Sequence, residues 1–223
     1  MDYVFHFGAV FAALDRIAAG AALTLSLSVG AMVFGLLIGF ACAVLAVFGG
    51  RTAAGLVRLY VEAIRNTPFL IQLFLIFFGL PSLGVSLDPV QAALIGMSVN
   101  CGAYATEIVR AGILAIPPGQ IEAARALALR TPQVVRHVVL RPALRVAYPA
   151  LTSQFVLVML GSSVVSTISA EELTATGHIL ETETFRPFEV YIVITAIYVA
   201  LAFALKALFG ALYYRLLAEG RRR

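Results

Sequence analysis

The chain has 223 residues, of which 61% are apolar and 13% charged, with a formal net charge of +4 and a mean hydropathy of +0.96. This lies far outside the soluble range of about half apolar and a quarter charged, and it leaves room for at most about six or seven membrane spans and no separate soluble domain. The arginines fall in the gaps between apolar runs, where membrane orientation accounts for them, so the positive charge does not indicate nucleic acid.

In chain order, residues 1–18 read as an N-terminal interfacial segment, because Phe5 to Ala19 is apolar apart from Asp15 and Arg16. The start, Met-Asp-Tyr-Val-Phe-His, lacks the positive stretch of a cleaved signal, so the first apolar run is expected to stay as an anchor. That run, about 21–48, carries no charge and at about 1.5 Å per residue is long enough to cross. Gly35 and Gly39 within it form a small-xxx-small pair, open to close helix approach or simply to the glycine content usual in membranes.

A second span is expected at about 57–80 as one helix with a polar lower half, in which Glu62 pairs with Arg58 or Arg65 and Pro68 introduces a kink. Asn66, Thr67 and Gln72 around that kink are either binding or structural residues. After a turn at Pro81–Asp88, a third span at about 89–113 carries Asn100, Tyr104 and Glu107, the last spaced to pair with Arg110 or to meet a solute. A fourth span at about 146–168 holds Ser162, Ser163 and Ser166, for which mid-helix bonding to a carbonyl one turn back competes with any role along a path. The fifth, at about 190–214, contains an unassigned Lys206 and has Tyr191, Tyr198, Tyr213 and Tyr214 as interfacial anchors, and residues 215–223 form a basic tail.

Placing the N-terminus outside puts Arg51, Arg58, Arg65, the six arginines from Arg110 to Arg145 and the tail on the cytoplasmic side. The outer side then collects Asp2, Asp15, Asp88, Glu171, Glu172, Glu181, Glu183 and Glu189. Most of these stand in a loop, Ala170–Glu189, that is either a docking surface or solvated. Cys42 and Cys101 lie inside apolar runs and read as core residues, and His6, His137 and His178 are scattered, so no metal set is expected.

Between spans three and four, 114–145 is a charged, alanine-rich island. Pro117-Pro118-Gly119 stops the third span, a short helix of small residues follows, Thr131-Pro132 restarts a second segment, and Pro142 precedes the next crossing. Small residues give a partner a surface that another backbone can approach closely.

Glu122-Ala123-Ala124 in this island resembles the cytoplasmic loop of ABC importer permeases, marked by Glu-Ala-Ala, a following glycine and a later Ile-x-Leu-Pro. The resemblance extends to Tyr60–Pro68 with Gln72, Gly79 and Pro81, to Ala103–Arg110 running into Ile116-Pro117, and to Glu172-Leu173-Thr174 and Thr184–Tyr191, so it spans Ile17 to Tyr214. These stretches look like the polar amino acid branch, of histidine, glutamate, arginine and opine type. Ala128 departs from the family glycine, which bears on a tight turn there, and Leu140-Arg141-Pro142 shifts the expected proline by one. Leu160-Gly161-Ser162-Ser163 replaces a Lys-Asp-Thr-Ser stretch, so the solute need not be that of any one relative.

The resemblance implies an all-α integral membrane protein of five transmembrane helices with the type I ABC importer permease fold over 19–214, N-terminus outside and C-terminus cytoplasmic, in a bacterial inner membrane. It implies ATPase partners that use ATP and Mg, a second permease, identical or homologous, and an outer solute-binding protein. Gly119, Glu122, Ala123, Ala124, Arg125, Ala126, Leu127 and Ala128 would then couple to the ATPase. This chain is expected to bind no nucleotide, since Gly50 and Gly55 are followed by Leu56-Val57 and not by Lys and Ser or Thr, and to have no catalytic residue. For a zwitterionic solute the candidate path residues are Asn66, Thr67, Gln72, Asn100, Tyr104, Glu107, Ser162, Ser163 and Ser166. An ion-coupled carrier using Glu62 or Glu107 is the alternative, weakened by the lack of an internal repeat, and an accessory subunit without a path is the third reading.

Overall fold

The computed structural model describes residues 3–216, and the described residues form helices without a strand. In order these are α1 (Gly8–Ala12), α2 (Leu14–Phe48), α3 (Arg51–Arg65), α4 (Phe69–Phe74), α5 (Pro89–Leu114), α6 (Pro118–Ala126), α7 (Thr131–Val134), α8 (Leu140–Gly161), α9 (Leu173–Thr184) and α10 (Pro187–Leu216). A π-helical turn at Leu75–Gly79 and a 3-10 turn at Leu80–Leu83 extend α4; a second π turn, Val135–Val139, joins α7 to α8, and a 3-10 stretch, Ser162–Ile168, extends α8. Four of the resulting helices are long and apolar enough to cross a membrane, and α3 with α4 makes a fifth if that bent pair is one span.

The bundle is built around α5, which is 61% buried over its most apolar window where α10 is 11% buried. Its start is fixed by a capping box, in which the Asp88 carboxylate accepts from the Gln91 amide at 2.8 Å and the Gln91 side chain accepts from the Asp88 amide. Lipid tails are as apolar as leucine and provide no hydrophobic drive between helices, so close packing of small residues holds the seams. A Cβ placed on Gly39 of α2 would meet the Ala105 carbonyl carbon and the Thr106 nitrogen of α5, both at 2.9 Å. One on Gly112 of α5 would meet the Ala143 oxygen of α8 at 2.5 Å. On the opposite side of α2, Val29, Val33, Phe34 and Leu37 are exposed, as a lipid-facing surface requires. Cys101 is buried and Cys42 half-buried, both as free thiols.

Four expectations need correction. The helix predicted over 57–80 is two helices, α3 and α4, meeting at 104°. Pro68 is extended, with ψ of 136°, and side chains bond the carbonyls at the end of α3: Asn66 donates to Glu62 O (2.9 Å), Thr67 to Ala63 O (2.9 Å) and Gln72 to Ile64 O (2.7 Å), the carbonyl that the proline leaves open. The first long apolar helix begins at Leu14 rather than about residue 21, so the expected 1–18 segment is divided between α1 and the start of α2; Arg16 stays in the helix because Glu183 takes it in a two-pronged pair at 2.7 and 3.1 Å. The fourth long apolar helical run likewise starts at Thr131, inside the expected 114–145 loop, which leaves 115–130 as the connection carrying α6.

The fourth correction concerns Ala170–Glu189, which is no loop. Its α9 packs on α2, with Leu173 and Leu180 buried beside Val10, Ile17 and Ile194. Of the predicted 215–223 tail, everything after Leu216 lies outside the described residues.

Candidate coupling segment and polar lane

The helix α6 hangs between α5 and α7 at the arginine-rich end. Pro117 and Pro118 start it, since neither needs an amide partner in a first turn. Of Gly119, Glu122, Ala123, Ala124, Arg125 and Ala126, only Ala124 is buried, joining the core cluster of Ile116 and Val134. The remainder, with Leu127 (77% exposed) and Ala128, forms an open surface of mostly small side chains. Among the described residues Glu122 and Arg125 make no ion pair with one another, whereas Arg16 pairs with Glu183, Arg58 with Glu62, Arg110 with Glu107 and Arg186 with Glu189.

The tight turn that the alanine departure brought into question is kept. Ala128 takes a left-handed φ of 58°, its amide donates to Arg125 O at 2.9 Å, and the Leu129 amide reaches back to Ala124 O at 3.2 Å. This is the paired 5→2 and 6→1 closure of a Schellman motif, with alanine at a position usually given to glycine.

A polar lane runs beside α5. A cavity of about 240 Å³ is lined by Phe69, Asn100, Tyr104, Gln154 and Gly161, where α4, α5 and α8 meet. Below it the Arg65 guanidinium lies 5.2 Å from the centre of the Tyr104 ring. A further cleft of about 440 Å³ gathers Arg58, Glu62, Arg65, Glu107 and Arg110.

The predicted path residues divide sharply on this geometry. Asn100 and Tyr104 line the cavity, and Asn66 shares an adjoining cleft with Tyr104 and Glu62. Gln72 is buried and works as a brace: besides Ile64 O it donates to Thr67, and its oxygen accepts from Asn100 at 3.0 Å. Glu107 holds Arg110 through two bonds of 3.0 and 2.7 Å, and Glu62 holds Arg58 at 2.7 Å. The three serines do not join the lane. Ser162, Ser163 and Ser166 bond to the carbonyls of Met159, Leu160 and Ser163, and Ser163 faces a groove beside Lys206 on α10. Sequence reasoning passed over Arg65 as a lane residue and missed Gln154 altogether, although Gln154 is the one amide side chain in the apolar stretch 146–168.

At the opposite, acidic end, Glu172 is fully buried as the N-cap of α9. Its Oε1 accepts from the amides of Thr174 (2.8 Å) and Ala175 (3.1 Å), and its Oε2 from the hydroxyls of Thr24 (3.1 Å) and Tyr198 (2.7 Å). Tyr198 is therefore a half-buried donor to Glu172, a role that the sequence did not suggest. Glu189, also buried, ties down the N-terminal arm through Tyr3 and the His6 amide, with Arg186 donating at 3.0 Å. The Arg16 guanidinium beside Glu183 holds that carboxyl below its ordinary range. No group of three or more histidine, cysteine or acidic residues among those described could hold a metal ion.

The family model for the binding-protein-dependent transport system inner membrane component matches residues 31–218. The octopine transport system permease protein OccM of Rhizobium meliloti is 34% identical over 92% of this chain and 87% of its own length. The glutamine transport system permease protein GlnP of Escherichia coli K12 is 33% identical over 95% and 98%. Among solved structures, the crystal structure of an amino acid ABC transporter with histidines superposes with a TM-score of 0.85 at 33% identity, over 96% of this chain and 100% of that one. An inward-facing form of the MetNI methionine ABC transporter, at 24% identity and a TM-score of 0.78, shares the fold. None of these similarities points to an ion-coupled carrier, and Glu62 and Glu107, on which that alternative rested, are each engaged by an arginine. With four-fifths of its length matched by the family model and relatives above 30% identity over nearly the whole chain, this protein belongs to the inner membrane components of binding-protein-dependent transport systems, as an ABC importer permease.

Proposed function

We propose that the chain is driven by separate ATPase subunits that dock on α6, and that it carries a polar amino acid or related small solute past α5 together with a second permease, identical or homologous. The observation that carries this is the form of α6: an exposed helix of small residues, pinned by one buried alanine and closed by a rigid turn at Ala128. Such a piece transmits force because it seats in a partner's cleft without deforming. Gly119 through Ala128 then form the seat. ATP and Mg act in the partner, and an outer binding protein delivers the solute to the α9 end. The arginine-rich end lies in the cytoplasm, as the bias of Arg51, Arg58, Arg110, Arg125, Arg130, Arg136, Arg141 and Arg145 favours.

Asn100, Tyr104 and Gln154 supply the hydrogen-bonding groups of the path, with Arg65 beneath them as a charge for the solute carboxylate and the Glu107–Arg110 pair lining the cleft below. Gln72, Thr67 and the α8 serines support the backbone. The names of the octopine and glutamine relatives favour an amino acid or a derivative of one.

The test is uptake by the complete complex in proteoliposomes with ATP supplied on the ATPase side, using a panel of amino acids and opines. Uptake is expected to require ATP and the binding protein, and Ala123→Cys is expected to cross-link to an ATPase carrying a cysteine in its docking cleft. Gln154→Ala should raise the uptake KM about tenfold, the scale of one lost solute hydrogen bond, while leaving the cross-link intact. Undiminished uptake without ATP refutes the proposal.

A further inference from the structure

We infer that the cavity where α4, α5 and α8 meet admits the uncharged, amide-bearing side chain of an amino acid and discriminates against cationic and acidic side chains. The inference rests on the solute path proposed above and narrows what passes along it. Asn100, Tyr104 and Gln154 are the polar residues of the lining; the remainder, Phe69 and Met97 among them, is apolar, and no lining residue is charged. At about 240 Å³ the cavity is smaller than the roughly 300 Å³ at which small-molecule pockets ordinarily begin, so it suits one short side chain stripped of its water.

The polar groups are oriented in advance. The Gln72 amide nitrogen is committed to Ile64 O and to Thr67, so the Gln72 oxygen is left to take a donor from α5. Asn100 supplies that donor at 3.0 Å, which leaves its own oxygen without a partner among the described residues. Gln154 is half-buried and has no hydrogen-bond partner among the described residues, so both ends of its amide are open. A solute amide meets there one free acceptor and one donor–acceptor pair, the complement of its own nitrogen and oxygen.

Charged side chains fare worse. A guanidinium or ammonium that enters the cavity gives up its water and finds no carboxylate, while a fixed cation, Arg65, already lies against the Tyr104 ring at 5.2 Å. The carboxylates of Glu62 and Glu107 stand in the cleft below, held by Arg58 and Arg110. An acidic side chain loses its water in the same way, and with the solute's main carboxylate at Arg65 no second cation lines the cavity to receive it.

The test is competition for radiolabelled glutamine on the purified permease–ATPase complex in detergent, with the binding protein left out so that its own selectivity does not enter. Unlabelled asparagine should compete nearly as well as glutamine, whereas arginine, lysine and glutamate should compete about 30-fold less well, the scale of a polar group buried without a partner. Gln154→Glu, equal in length, places a carboxylate in the cavity and should reverse the order, so that the variant binds radiolabelled arginine more tightly than glutamine. Gln154→Ala should weaken glutamine about tenfold without strengthening arginine. Matched melting temperatures confirm that both variants are folded. Equal competition by arginine or glutamate, no saturable glutamine binding, or an unreversed order in folded Gln154→Glu overturns the inference. Preferential ATP-driven uptake of a cationic amino acid also overturns it while leaving the transport reading intact, and uptake that needs no ATP refutes that reading while leaving the binding order standing.

Discussion

Ala128 offers a clean test of how α6 is held. Its φ of 58° lies where a non-glycine residue pays about 1–2 kcal/mol for the contact between Cβ and the following carbonyl. The side chain is exposed, so Ala128→Gly removes that cost without opening a cavity. Glycine also loses more freedom on folding, about 0.4–1 kcal/mol, which offsets part of the gain. The net is a stabilisation of the turn of about 0.8 kcal/mol, equivalent to a roughly fourfold drop in local opening. The assay is hydrogen exchange at the amides of Ala128 and Leu129, which close the turn on Arg125 and Ala124. Ala128→Gly should slow exchange at both about fourfold, and Ala128→Val, whose branched Cβ fits the left-handed region worse, should speed it. Unchanged or faster exchange in the glycine variant refutes the argument that this turn is strained.

Three further outcomes are expected. Gly112→Val drives a side chain against the Ala143 carbonyl across the α5–α8 seam and should lower the melting temperature of the detergent-solubilised chain by an amount reflecting about 1–3 kcal/mol. Gly210→Ala in α10, with open space around its Cβ, serves as the control that should leave the melting temperature unchanged or raise it slightly. Glu172→Ala strips the partner from two hydroxyls and two amides in a buried place and should cost at least about 3 kcal/mol, with Glu172→Gln intermediate; an unperturbed melt for the alanine variant would contradict the N-cap role. The Glu183 carboxyl is depressed by Arg16, so its stabilising effect is complete above the ordinary value of 4.5 and fades as pH falls below it. Exchange at the α9 end should accordingly quicken in acid, by a small factor because both partners are about half exposed, and Glu183→Gln should flatten that response.

Much of this architecture is legible in the amino-acid order because its causes are local. The charge-free run before Phe48, the Asp88–Gln91 cap and the Pro117-Pro118-Gly119 stop each act within a few residues, and they set α2, α5 and α6. What escapes such reading depends on distant partners. Pro68 announces a bend, but the 104° angle needs the Gln72 side chain to reach back eight residues to Ile64. The acidic stretch 170–189 reads as well as a solvated loop, and distant partners, Thr24, Ile17 and Arg16 on α2 among them, turn its middle into a docked helix. For the polar lane, residue type was a poor guide to role, because the Gln72 amide and the serine hydroxyls are consumed by backbone. Gln154 could have been found by asking which polar group in the fourth span has no carbonyl one turn back within easy reach of a short side chain.

The Glu172 cluster also sets an order of events during synthesis. Thr24 precedes Glu172 by 148 residues, and Tyr198 follows it by 26. The knot is tied only after the last crossing has been made, so α2 waits in the bilayer while nearly the whole polypeptide emerges. A prematurely terminated product that stops short of α10 keeps the glutamate but lacks the tyrosine hydroxyl that completes its shell.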